Sequence, residues 1–231
     1  MSNIDGALQR FRLNLGIKGF LTRNFLVQGF VTNVIAKNRL KLPTIELAEI
    51  TDPGCSVSIR ILPLRPWDTP YDDIVAICAI AKTTKPRRIL EIGTARGRTT
   101  LLLSDNCPEA EISTYDIEPD AGSYFKTLNP PPARITLSTS DIHSDAARLR
   151  NGEKFNFIFI DANHIESAVR ADSELAFELL APGGVIVWHD YANSDYLFGY
   201  NRVPEVLAAL SMERSIRGVL GVELAVYRSN A

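Results

Sequence analysis

The stretch Arg88–Thr100, RILEIGTARGRTT, constrains the fold of this chain more than any other. Ile89, Leu90 and Ile92 form a short apolar, β-favouring run interrupted by Glu91, followed by Gly93 and Gly97. The hydroxyls of Thr99 and Thr100 then lead into Leu101-Leu102-Leu103. Such a pattern reads as a buried strand, a tight glycine turn and the first turn of a helix. Glycines let the main chain pass close to a ligand, and a helix start presents unpaired N–H groups. The dinucleotide fingerprint G-x-G-x-x-G is not met. The loop is E-x-G-x-x-x-G, with Ala95 at the middle small position.

Further strands with chemistry at their carboxyl ends follow. Glu111–Ile117 (EISTYDI) reads as the second strand and ends near Asp116, 23 residues past Gly93. An acid there can accept both ribose hydroxyl hydrogens, as in dinucleotide folds. It can equally serve as a turn carboxylate, since Glu118-Pro119-Asp120 is a turn signal; Glu118 is the second ribose candidate. Pro130-Pro131-Pro132 is a rigid connection. Ile135–Ser140 reads as a third strand leading to Asp141, which is positioned as an N-cap for a short helix near Ser144–Arg150. His143 has no partner in view and reads as a surface residue. Phe155–Ile160 (FNFIFI) is a buried strand ending in Asp161-Ala162-Asn163-His164, with a helix expected over Ile165–Leu180. Pro182-Gly183-Gly184 reads as a turn, and Val185–Trp188 as a strand ending in His189-Asp190-Tyr191. Adjacent parallel strands bring their carboxyl ends together, so Asp161, His164, His189 and Asp190 should meet at the sheet edge that carries the glycine loop. The bland alternatives are that His164 caps its helix and that His189 faces the core with satisfied hydrogen bonds.

The glycine loop resembles motif I of the class I S-adenosylmethionine (SAM) methyltransferases. The segment IDANHIESAVRADSELAFELLAPGGVIVWHDY is similar to the group related to metal-dependent O-methyltransferases of antibiotic sugars, and more distantly to the catechol type. The resemblance covers about Thr69–Tyr191. It implies a Rossmann-like, seven-stranded, mostly parallel sheet with helices on both faces, closed by an antiparallel last strand. It further implies that Glu91, Gly93, Thr94, Gly97 and Thr99 hold the methionine part of SAM, with Asp116 on the ribose and Asp141 at the adenine. A divalent metal, Mg²⁺ or Mn²⁺, would sit on Asp161, His189 and Asp190, and His164 would be the general base. His189 departs from the group, where that slot is usually an acid. Mg²⁺ prefers all-oxygen coordination, whereas a nitrogen ligand suits Mn²⁺, Fe²⁺ or Zn²⁺ better. The implied reaction is O-methylation of a small-molecule or glycan hydroxyl. Two other readings are a metal-independent methyltransferase with the same SAM site, and a non-catalytic protein of this fold acting in assembly or at a membrane. An NAD-dependent oxidoreductase fits less well, because the third fingerprint glycine is misplaced.

Outside this region the sequence divides into an N-terminal helical extension and linker over 1–66 and a methyltransferase domain over 67–231. Apolar residues recur at roughly helical intervals through 6–40, but Gly16, Gly19 and Gly29 favour two or three short helices over one long one. Residues 1–41 carry seven Lys/Arg against Asp5 alone, in a chain of net charge −2. The whole molecule therefore does not look like a nucleic-acid binder. The basic head is expected to fold back as a cap near the acceptor entrance or at the interface of a homo-oligomer, with contact to an anionic membrane surface as the alternative. Pro43, Asp52-Pro53-Gly54, Pro63 and Pro66 mark a linker with at most one short strand, Val57–Leu62. Thr69 reads as an N-cap with Pro70 at the first helical position, and Trp67 and Tyr71 as candidates to line the site. Tyr191–Tyr200 reads as a substrate-facing loop, Val203–Met212 as a helix, and Ser215–Leu220 with Glu223–Tyr227 as closing strands. Three cysteines without metal spacing, no membrane-length apolar run and no signal-peptide pattern make a reduced, cytoplasmic compartment the expectation.

Overall fold

A computed structural model describes residues 25–62, 68–128 and 132–230. The elements, in order, are α1 (Phe25–Lys37), β1 (Thr44–Ile45), α2 (Leu47–Ile50), α3 (Tyr71–Thr84), β2 (Arg88–Ile92), α4 (Arg98–Asn106), β3 (Glu111–Tyr115) and α5 (Ser123–Lys126). They continue with β4 (Ile135–Ser138), α6 (Ala146–Asn151), β5 (Phe155–Ile160), α7 (Glu166–Leu179), β6 (Leu180–Trp188), α8 (Val203–Leu210), β7 (Arg217–Val219) and β8 (Ala225–Arg228). Short 3₁₀ turns occupy Ile142–Asp145 and Ser194–Phe198.

The strands form one sheet in the order β1-β7-β8-β6-β5-β2-β3-β4. All pairs are parallel except those of β8, which runs antiparallel to both β6 and β7. This sheet has eight strands where seven were expected. The extra one is β1, which lies at the edge beside β7 and comes from the region read as linker. No strand forms at Val57–Leu62. Pro182-Gly183-Gly184 is not a turn between elements. It lies inside β6, where the register against β5 shifts.

Alternation along β2, β5 and β6 explains the two-sided core. Leu90, Ile92, Ile158, Ile160, Ile186 and Trp188 pack on one face with α7, α8 and Val31 and Ile35 of α1. Ile89, Phe157, Phe159, Val185 and Val187 pack on the other with α3 and Leu103 of α4. Buried central strands of this kind read as continuous apolar runs. The apolar stripe of α3 (Ile74, Ile77, Cys78, Ala81) is fully buried. α3 starts one residue later than expected: Pro70 is its N-cap, and Thr69 makes no side-chain cap.

α1 packs against the 194–198 turn, where the amide of Asn38 donates to the Tyr196 hydroxyl at 2.8 Å. The described part of the N-terminal region thus shares the core and the sheet with the rest of the chain. Most of the basic head, Arg10 to Arg23, lies outside the described residues, as do Pro63, Pro66, Trp67 and the Pro130-Pro131 part of the proline run. Among the described residues no helix is long and apolar enough to cross a membrane.

Candidate active site

Ile92 pairs with Tyr115 on one side and Ile160 on the other, and Ile160 pairs with Trp188. The four strands therefore end level, and Gly93, Asp116, Asp161 and His189 are the first residues beyond them. Parallel β-sheet geometry alone puts these groups at one edge.

The glycine loop is built by contacts to its neighbours. Gly93 has φ +99°, and a Cβ there would lie 2.1 Å from the Asp161 carbonyl oxygen. Gly97 has φ +82°, and a Cβ would lie 2.3 Å from the Phe125 ring. Both glycines are thus required by packing within the chain as well as by turn geometry. Asp116 holds the loop from the side: Ala95 N–H donates to its Oδ2 at 2.6 Å and Glu118 N–H to its Oδ1 at 2.8 Å.

A cavity of about 440 Å³ opens beside the loop. Gly93, Thr94 and Thr99 line it, as expected, together with Asp161, His164, His189 and Asp190. Four other predicted cofactor residues do not. Glu91 is completely buried behind the loop, where its Oε2 accepts from the Thr100 and Thr114 hydroxyls at 2.5 Å. Burial raises its pKa to about 8 against the opposing effect of those two hydrogen bonds. Asp116 accepts one backbone N–H on each oxygen and stands outside the cavity lining, and Gly97 faces Phe125. Asp141 is exposed and caps the 142–145 turn, accepting from His143 N–H at 2.9 Å. Of the acids that follow β3, Glu118 and Asp120 line the cavity. Tyr71 is exposed and stands apart from it. His143 is not a lone surface residue: its Nε2 lies 2.8 Å from Asp172 Oδ1.

The Asp161–Asp190 cluster is as tight as strand adjacency required. His164 Nε2 lies 2.8 Å from Asp190 Oδ2. His189 Nδ1 lies 3.3 Å from both Asp161 Oδ1 and Asp190 Oδ2, yet is aligned for a hydrogen bond with neither. Asp190 has φ +61°, a left-handed conformation that an Asp tolerates better than most residues. Its Oδ1 takes the amide of Asn193, which also donates to Glu223 Oε2 at 2.7 Å. Burial alone would lower both imidazole pKa values. The hydrogen bond and charge of Asp190 nonetheless hold His164 above its ordinary value, and the charges of Asp190 and Asp161 hold His189 well above its own. Burial pulls Asp190 upward, but the charge of His189 and the hydrogen bond from His164 keep it well below the usual carboxylate range.

For a metal, the ligand atoms of Asp161, His164 and Asp190 lie within 4.8 Å of one another. The orphaned, buried Nδ1 of His189 faces the same two carboxylates. Two carboxylates and imidazole nitrogen suit a divalent transition ion. His164, bonded to Asp190, stands in this grouping, while His189 also groups with Asp73 and Glu223 on its other side. For SAM, the cavity combines loop backbone with the acids Glu118, Asp120 and Asp161, which suit hydroxyls and a cationic sulfur, and with Arg96 and Arg98, which suit a carboxylate.

Sequence reasoning missed Asp73 and Glu223. By its position in the sequence Asp73 is no more than a favourable charge in the first turn of α3. It is buried, and its Oδ2 lies 2.9 Å from His189 Nε2. Burial, reinforced by Asp73 and Asp190, pushes the Glu223 pKa well up. Asn193 and Asp195, from the loop expected to face substrate, line the cavity.

Residues 90–191 match the model of a family described as a methyltransferase domain. A Mycolicibacterium vanbaalenii protein named, by inference, as an O-methyltransferase is 32% identical over 124 residues, 49% of this chain and 51% of that protein. The chain therefore spans about half the length of this curated relative. Among solved structures, the O-methyltransferase TomG of Streptomyces achromogenes, crystallised with SAM, superposes with a TM-score of 0.58 at 17% identity, over 71% of this chain and 82% of that one. A Bacillus cereus O-methyltransferase in complex with SAH gives a TM-score of 0.55 at 20% identity, over 87% and 90%. The chain has the Rossmann-like class I methyltransferase fold.

Proposed function

We propose that a chain of this fold, with this cluster at its sheet edge, transfers the methyl group of SAM to a hydroxyl oxygen of a small molecule or sugar. The observation that carries the reading is the convergence of Asp161, His164, His189 and Asp190 on the cavity beside the glycine loop. When bound, SAM supplies a methyl carbon made electrophilic by its positively charged sulfur. Gly93, Thr94 and Thr99 would hold its methionine part and Glu118 or Asp120 its ribose hydroxyls. Asp161, Asp190 and His189 would hold a divalent cation, whose chemistry is to polarise an oxygen and lower the pKa of its proton.

The acceptor's proton falls to His164. Asp190 Oδ2 sits 2.8 Å from its Nε2, which fixes that nitrogen as the N–H and leaves the lone pair on Nδ1. A pKa held above the ordinary histidine value makes that nitrogen the stronger acceptor. Asp190 would then stabilise the imidazolium once it forms. Asn193, bridging Asp190 and Glu223, holds the carboxylate in place for both tasks.

The test is paired. Mass spectrometry of the purified protein, seeking carried-over SAM or its demethylated product, together with calorimetric titration of SAM, establishes the cofactor. His164→Ala should then keep SAM affinity and lose about 10²–10⁴-fold in methyl transfer. An alanine variant as fast as wild type removes His164 as base. Full activity after exhaustive chelation, unchanged by added Mn²⁺ or Mg²⁺, supports the metal-independent reading instead.

A further inference from the structure

We propose that Asp73, 116 residues from His189 in sequence, is a positioning residue that turns Nδ1 of His189 toward the Asp161–Asp190 pair. The inference rests on the reading that this pair and His189 hold a divalent cation. Asp73 sits in the first turn of α3 and is 2% exposed. Its two oxygens have separate tasks. Oδ1 accepts the backbone N–H of Glu223 at 3.0 Å, which anchors the carboxylate from behind. Oδ2 lies 2.9 Å from His189 Nε2.

A carboxylate oxygen 2.9 Å from an imidazole nitrogen accepts its N–H. The geometry thus assigns the proton to Nε2 of His189 and leaves Nδ1 as the nitrogen open to a cation. The ring is buried and lies edge-on to Phe159 with centroids 6.4 Å apart. Nδ1 is thus left buried, without an aligned partner, 3.3 Å from each of the two carboxylates. A carboxylate behind a ligating histidine fixes its tautomer and raises its basicity, and losing it commonly costs 10–100-fold in metal affinity. His189 stands where the resembling group usually has an acid, and Asp73 supplies the support that an imidazole needs in that slot.

Asp73→Asn tests this directly. Its amide oxygen can accept from Glu223 N–H only by turning the NH₂ toward His189. That would place the His189 proton on Nδ1, facing the site. Zn²⁺ affinity, measured by calorimetry, should fall tenfold or more, while SAM affinity stays within twofold. In a His189→Ala background the same change should cost nothing further, because Asp73 acts only through the ring. An equal loss in both backgrounds overturns the proposal.

The chain has three histidines, so ¹⁵N-histidine NMR of wild type resolves the point without relying on the variant's folding. Nε2 of His189 should be protonated before and after Zn²⁺ addition, and Nδ1 alone should shift. Zn²⁺ binding that leaves Nδ1 unmoved, or a bare Nε2, refutes the role of Asp73. Absence of any Zn²⁺ or Mn²⁺ binding to wild type refutes the metal reading itself, and Asp73 falls with it.

Discussion

Glu91→Gln separates two roles for the acid that ends β2. In the resembling methyltransferases this acid helps hold SAM, but here it is fully buried and closed off from the cavity. Its pKa is pushed up to about 8 from an ordinary 4.5, by burial that outweighs the hydrogen bonds from Thr100 and Thr114. A carboxyl kept neutral in the folded state binds its proton there at pH values where the unfolded chain has lost it. Its contribution to stability is therefore complete below about pH 4.5 and is lost as pH rises through about 8. At about 1.4 kcal/mol per decade of proton concentration, the gap corresponds to roughly 5 kcal/mol, of which about 3 kcal/mol falls between pH 5.5 and 8. Gln can place its carbonyl where Oε2 accepts from the two threonines, and it has no charge to gain. Urea unfolding of wild type and Glu91→Gln at pH 5.5, 7 and 8, without SAM, should give a stability difference that moves by about 3 kcal/mol in favour of the variant. SAM affinity should remain within a few-fold. Parallel pH profiles would show that Glu91 does not titrate in this window. A more than tenfold loss of SAM affinity would show that its charge serves the cofactor.

Gly93→Ala should destabilise by about 3 kcal/mol or more in chemical denaturation, and should weaken metal and SAM binding together. Its Cβ would meet the Asp161 carbonyl at 2.1 Å, backbone that cannot yield without moving the site carboxylate. Tyr191→Phe should cost about 1–3 kcal/mol, because the Leu42 N–H, now donating to the Tyr191 hydroxyl at 2.7 Å, is left buried without a partner. An unchanged midpoint for either variant in urea contradicts the corresponding packing argument.

Much of the site was legible because parallel strands propagate position. Once β2, β5 and β6 are recognised as buried apolar runs, their carboxyl ends must lie side by side, and Asp161, His164, His189 and Asp190 follow without further information. The acids near the cavity were harder to place. Asp116 and Asp141 have the expected spacing, and each also binds the backbone of its own loop as a turn or cap carboxylate, a competition that residue type alone does not decide. Glu91 has the right position and the wrong access, since burial depends on Thr100 and Thr114 closing over it. β1 was missed because two residues, Thr44 and Ile45, carry no period. Their pairing with β7 is set by how the distant chain packs.

Asp73 and Glu223 were invisible for a different reason, and it bears on what the site attracts. Each looked locally ordinary, a helix-start acid and a strand-start acid, and their meaning lies in contacts more than 100 residues away in sequence for Asp73 and about 30 for Glu223. With them included, four carboxyl groups surround two imidazoles. Burial, with Asp73 and Asp190 close by, pushes the Glu223 pKa well up. Asp73, Asp161 and Asp190 outnumber the two imidazoles they contact, so acid is in excess in this cluster. Cavity walls of low dielectric focus such a field toward the opening. On the proposed reading, the cationic partners drawn to such a cluster would be a divalent ion between Asp161 and Asp190 and the sulfonium of SAM beside the glycine loop. The cluster disfavours an anionic acceptor unless that ion is present. Neutral hydroxyl acceptors should therefore be methylated in preference to carboxylated analogues, and added Mn²⁺ should narrow the difference in KM between them. A preference for the anionic analogue in metal-free protein would show that the field is not the one these side chains create.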